Sequence, residues 1–216
     1  VISTDDGQTW SERVEIDLKG DYLPVDPSVI QLDDGLLRLH FFDFTSTRQP
    51  SSNGPYVFYS AISDDGINFE IEGESLSSDL IMTDPDVVLL GDTWFMYFAM
   101  HDGDAGAVWV ATSKDGIVFE NPQLIPDFGG IPGAMVVDDH VQLYGCMVGI
   151  VMTTSSDGIH FEELPEGKVS DEIGPNGKPL IEGRELFKSD KFFCDPSPAV
   201  LSDGSTALVL KTIVED

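Results

Sequence analysis

Positive charge is scarce in this sequence. Its 216 residues carry 11 Lys plus Arg against 39 Asp plus Glu, a formal net charge of −28. A surface of that sign repels phosphate backbones and anionic headgroups, so no nucleic-acid partner is expected. No apolar run reaches the roughly 18 residues that a spanning helix needs, so membrane insertion is not expected either. Helical periodicity is missing throughout. The four histidines, at positions 40, 101, 140 and 160, have no paired zinc spacing. A Gly-rich phosphate loop, a Cys-x-x-Cys pair and a Ser nucleophile elbow are also absent. Cysteine is scarce, with Cys146 and Cys194 alone. They fit a disulfide in an oxidising compartment or two buried free thiols. No signal peptide is visible, and the chain opens at Val1-Ile2 as a processed or trimmed product would, which leans the compartment toward secreted, extracellular or periplasmic. No charge-rich or Pro/Gly/Ser-rich linker interrupts residues 1–216, so they read as a single domain. The acidic balance fits a solvated, salt-adapted or extracellular surface, with divalent cation binding as the sharper alternative.

What the sequence has instead is repetition. The stretch Ser3-Thr4-Asp5-Asp6-Gly7-Gln8-Thr9-Trp10 recurs as Ser63 to Phe69, Ser113 to Phe119 and Ser155 to Phe161. The shared pattern is Ser/Thr-x-Asp-Gly-x-x-Phe/Trp, with glycines at 7, 66, 116 and 158. Gly supplies a positive φ and Asp hydrogen-bonds nearby amides, so each copy is a turn. A second element alternates with it: Val25-Asp26-Pro27-Ser28, Thr83-Asp84-Pro85-Asp86 and Cys194-Asp195-Pro196-Ser197. Ile131-Pro132-Gly133-Ala134 holds the same place without the acid.

Short runs rich in Val, Ile, Phe and Tyr separate these turns, which is the pattern of antiparallel strands. Each unit reads as strand, turn, strand, loop, strand, Asp-Gly turn, strand. Four strands in each repeat predict an all-β fold, a β-propeller of four-stranded antiparallel blades. Four blades are readable, or five if the chain is trimmed. The last blade is expected to be closed by strands from both termini, with Gln8 to Ile16 as its outermost strand and Trp10 packed between neighbouring sheets.

With these segments in hand, the chain resembles the sialidase-type Asp-box proteins in its turns. In its Asp-Pro strands it resembles the five-bladed glycoside hydrolases of the arabinanase and xylosidase type. "VDPSVIQLDDG", "TDPDVVLLGDTWFMYFA" and "TSSDGIHFEEL" all look like blade segments of that second group. The resemblance implies that inner strands begin near the propeller axis and carry catalytic carboxylates there. It places Asp26 as candidate base, with Asp84 and Asp195 as axial partners. Glycoside hydrolysis needs two carboxylates across the scissile bond, about 5 to 10 Å apart. An Asp before Pro also has a plainer reading, as a turn former on a residue that Pro holds extended.

The family's acid, a Glu at the start of an inner strand, is missing from the slot at Ile131. The nearest Glu-Gly is Glu182-Gly183, inside an insertion over 166–194, and Glu182 is the candidate acid. Loops at the same end of the blades offer Arg48, His101 and Asp102 as substrate-binding candidates, together with Asp86 of the second slot. No metal is required by this scheme. Oxygen ligands such as Asp84, Asp86, Asp102 and Asp104 would suit calcium rather than zinc. Invertase-type signatures are absent, and the arginines at 13, 38, 48 and 184 occupy no sialidase-like context. Two functions follow as expectations: a carbohydrate-active hydrolase, or a non-catalytic glycan-binding, adhesive or assembly-forming module. The sequence leaves the oligomeric state open.

Overall fold

The structure is a computed structural model and describes residues 1–44, 55–101, 106–146, 150–162, 168–173, 179–182 and 193–212. Among them the chain is a β-propeller without an α-helix. The first blade orders β2 (Pro24–Gln31), β3 (Leu37–Asp43), β4 (Tyr56–Ser63) and β5 (Asn68–Ser78) side by side. The second does the same with β6 (Ile81–Leu90), β7 (Thr93–His101), β8 (Gly106–Ser113) and β9 (Glu120–Gly129). The third shows β10 (Pro132–Val137), β11 (His140–Cys146) and β12 (Ile150–Ser155), and the last shows β15 (Phe193–Val200) paired with β16 (Thr206–Thr212). Between these two lies a separate hairpin, β13 (Lys168–Ile173) with β14 (Pro179–Glu182).

The middle strands are apolar on both faces because blades pack face to face. In β7 the run Phe95 to Met100 is buried without a break, where a strand with one wet face would alternate. The core is therefore a set of layers between blades. Phe42 and Phe58 meet Met82, Met96, Phe98 and Phe119 between the first two blades, with the Phe58 and Phe98 rings edge to face at 5.7 Å. Phe95, Tyr97, Phe128, Val141 and Leu143 fill the next layer. Met135, Tyr144 and Leu208 fill the layer between the third and last blades.

The repeated turns hold these layers in register. In three copies the Ser Oγ accepts from the Gly N–H, at 2.9 Å for Ser63, 3.0 Å for Ser113 and 2.9 Å for Ser155. Oδ1 of the following Asp accepts two further amides, as Asp115 does from Ile117 and Val118. Two of these turns offer their carbonyls to the blade before them. Arg38 Nη1 donates to Asp115 O at 2.9 Å, His40 Nε2 donates to Gly116 O at 2.9 Å, and Tyr97 Oη donates to Gly158 O at 2.8 Å.

The amino-terminal segment departs from expectation. Residues 8–16 form no strand; instead β1 (Asp17–Leu18) pairs in parallel with the outer edge of β5. The first turn does rest on the last blade, through Asp6, which accepts from the backbone and side chain of Ser202. Trp10 is 56% exposed rather than packed between sheets. The cysteines are settled: Cys146 of β11 and Cys194 of β15 form a disulfide that ties the third blade to the last.

Candidate functional site

The inner strands β2, β6, β10 and β15 are neighbours in that order. Three of them carry the same irregularity at Asp-Pro. β2 spends three steps from Val25 to Ser28 where β3 spends two from Phe42 to His40. The same offset occurs between Thr83 and Asp86 against Ala99 and Tyr97, and between Cys194 and Ser197 against Lys211 and Val209. Each is a bulge whose extra residue twists the strand and re-aims a side chain. The Asp in each adopts a left-handed backbone, with φ of 51° at Asp26, 55° at Asp84 and 51° at Asp195. This corrects the extended conformation expected before Pro. Asp tolerates positive φ better than most residues, but the position is still strained. In the third slot, β10 pairs from Pro132 onward without a bulge. A side chain at Gly133 would fall 1.9 Å from Pro196 O, so the last blade packs where such a side chain would stand.

The three carboxylates stand within electrostatic reach of one another. Partial desolvation raises the Asp26 pKa first, and the Asp195 charge adds to it. Asp84 is half-buried, and burial lifts it to about 6. The charges of Asp26 and Asp195 push in the same direction, against a hydrogen bond from Thr83 and the charge of Lys211. Lys211 Nζ sits 2.8 Å from Asp195 Oδ2. That hydrogen bond, its charge, and the more distant Asp26 and Asp84 raise the Lys211 pKa. The site is thus three carboxylates and one ammonium.

The other candidates divide. Asp86 has protein donors on both oxygens: Oδ1 accepts from Ser28 Oγ at 2.7 Å and from Val87 N at 3.1 Å, and Oδ2 accepts from Ala134 N at 2.6 Å. It joins the inner strands of the first three blades, and burial raises its pKa to about 6. His101 is exposed at the end of β7, at the Asp84 end of its blade, with its ring over Gly106. Arg48 and Asp102 lie outside the described residues, as does the side chain of Glu182 at the end of β14. Sequence reasoning missed Lys211, although a cation in a strand of so acidic a chain was a signal. Among the described residues no three His, Cys, Asp or Glu side chains are arranged to hold a metal ion.

A cleft of about 630 Å³ lies at the opposite ends of these strands, lined by Ile30, Leu32, Arg38, Val88, Trp94 and Val136. At about 3.3 Å per residue, Ile30 is some 13 Å along β2 from Asp26, so the cleft and the carboxylates are separate places.

No family model and no curated relative matches the chain. Solved structures do. The GH43_1 enzyme from Xanthomonas citri complexed with xylose is 18% identical with a TM-score of 0.61, over 82% of this chain and 63% of that one. CoXyl43, a GH43 β-xylosidase/α-arabinofuranosidase from a compost microbial metagenome, is described in complex with xylotriose in a calcium-free form. It is 16% identical with a TM-score of 0.61, over 88% of this chain and 74% of that one. Zg3597, a family 117 glycoside hydrolase of Zobellia galactanivorans, is 16% identical with a TM-score of 0.57, over 93% and 71%. At these identities the likeness shows the fold alone: the chain is a β-propeller like those of these enzymes, and it spans under two thirds of the length of the Xanthomonas enzyme.

Proposed function

We propose that this chain is a secreted, carbohydrate-active propeller that hydrolyses glycosidic bonds with its axial carboxylates. The observation that carries the reading is that Asp26, Asp84 and Asp195, each in the same strained bulge, stand within electrostatic reach of one another. Strain of about 1–3 kcal/mol at each such residue is kept where the surroundings enforce it, and such residues cluster at functional sites. Hydrolysis requires a proton for the leaving oxygen and a base for the attacking water. Asp84, which keeps its proton up to about pH 6, suits the first task. Asp26 takes the proton of the water that adds to the anomeric carbon, so one glycosidic bond and one water O–H break while two hydroxyl groups form. The xylose and xylotriose bound to fold relatives support a saccharide substrate. The Cys146–Cys194 disulfide supports an oxidising compartment.

The third slot, with neither acid nor bulge, favours a second reading as a non-catalytic glycan-binding module. A screen of chromogenic xylosides, arabinosides and related glycosides separates the two, run with and without calcium to test for an ion contribution. Turnover that falls at least 100-fold in Asp26→Asn is the expected result for the enzyme. Glycan binding without turnover on any substrate would establish the module.

A further inference from the structure

Lys211 and Asp195 form an ion pair whose hydrogen-bonding capacity is only partly used. The ammonium has three N–H donors and the 2.8 Å contact to Asp195 Oδ2 occupies one. Asp195 Oδ1 has no partner among the described residues. Both groups reach solvent, with side-chain exposures of 72% for Lys211 and 32% for Asp195. They are held in place from below. Lys211 is the direct cross-strand partner of Cys194, the disulfide fixes Cys194 to β11, and Asp195 follows in the left-handed bulge. An ordinary exposed ion pair has no such fixed frame and contributes little to stability.

Resting on the carbohydrate reading above, we infer that the Asp195–Lys211 pair is a clamp for two adjacent hydroxyls of a sugar ring. Lys211 Nζ donates to one hydroxyl oxygen, and Asp195 Oδ1 accepts from the neighbouring hydroxyl. Adjacent ring hydroxyls present one oxygen that accepts and one O–H that donates, which is the pairing that a neighbouring ammonium and carboxylate require. Both contacts are charge-assisted, and such bonds are roughly twice as strong as neutral ones. The surroundings favour a neutral ligand over an anion. Asp26, Asp84 and Asp195 outnumber the single ammonium, so a carboxylated or sulfated group would meet net repulsion, whereas a diol uses donor and acceptor together.

The test is calorimetric titration of the folded protein with xylotriose and with methyl β-xylopyranoside, beside deoxy analogues of the latter that each lack one ring hydroxyl. Lys211→Met keeps the aliphatic stem, and Asp195→Asn tolerates the left-handed backbone, so near-ultraviolet circular dichroism should stay unchanged in both. Each variant is expected to weaken binding about tenfold. The deoxy analogue missing the hydroxyl that accepts from Lys211 should lose about tenfold against the wild type and nothing further against Lys211→Met, as expected for two partners of one interaction. Sugar binding of undiminished affinity in both variants would overturn the clamp and leave the carbohydrate reading intact. A wild-type protein that binds none of these sugars would overturn both.

Discussion

Asp86 and His40 are two ionisable side chains whose charged forms burial disfavours, and they tilt the pH dependence of stability in opposite directions. Burial raises Asp86 from 3.8 to about 6. Between about pH 4 and 6 the folded chain therefore holds a proton that the unfolded chain has released, and stability falls as pH rises through that window. Asp84, raised by burial to about the same value, acts in the same sense. Burial lowers His40 from 6.5 to about 4, against the hydrogen bond to Gly116 O that favours the charged form. Here the unfolded chain binds the extra proton between about pH 4 and 6.5, and stability rises with pH. The contributions partly cancel in the wild type, so single variants should expose them. Asp86→Asn should leave His40 less opposed and steepen the gain in stability from pH 4 to 6.5, by on the order of 1–2 kcal/mol. His40→Gln should tilt the curve the other way. Urea unfolding at a series of pH values measures both slopes, and curves parallel to the wild type would show that burial does not set these protonation states.

At the scale of the element, a turn glycine supplies a positive φ and, in two of the repeated Ser-x-Asp-Gly turns, also packs against the blade before. Gly35 of the β2–β3 hairpin and Gly158 of a repeated turn separate the two jobs. Gly35 and Gly158 both have positive φ, 89° and 77°. A methyl group at Gly35 meets nothing within 4 Å, while at Gly158 it would fall 2.6 Å from the Phe95 ring of the preceding blade. Gly35→Ala should therefore cost only the backbone penalty, about 1–2 kcal/mol. Gly158→Ala should add about 1–3 kcal/mol for overpacking the layer between blades. Thermal unfolding of the two variants reads the difference, and equal losses would mean that the turn does not clamp one blade to the next. The turns were legible in the sequence because their chemistry is local: Ser, Asp and Gly at fixed offsets satisfy their own amides wherever they occur. The Asp-Pro slots were legible for the same reason, as a repeat. Their geometry was not, since local sterics before Pro favour an extended Asp, and only the bulge against the neighbouring strand turns Asp26, Asp84 and Asp195 to φ near +50°. Asp86 reads in sequence as one more acid in a slot, and its role depends on Ser28 and Ala134, 58 and 48 residues away. Lys211 shares this difficulty, because the register that places it opposite Cys194 is a property of the folded blade.

The molecule as a whole depends on how the last blade is fixed, because that blade brings Asp195 and Lys211 to the axis. Two devices hold it. Gly133 of β10 lies so close to Pro196 that no side chain fits between them, and the disulfide joins Cys146 to Cys194 across a separation of 48 residues. Closing a loop of that length removes unfolded-state entropy equivalent to about 4 kcal/mol in the chain-entropy account. Cys146→Ser with Cys194→Ser should then lower the melting temperature by roughly 10 °C for a chain of this size. The consequence for the site follows from position. Cys194 immediately precedes Asp195, so freeing the pair lets the start of β15 move away from β11 and loosens the ion pair with Lys211, while Asp26 and Asp84 stay on blades the bond does not touch. Sugar binding should weaken in the double variant at temperatures where circular dichroism still reports folded sheet, and the same loss should appear when the wild type is treated with dithiothreitol. Binding that survives reduction at full affinity would assign the fixing of Asp195 to the Gly133–Pro196 contact alone, and Gly133→Ala, which drives a methyl group into that carbonyl, would then be the variant that abolishes it.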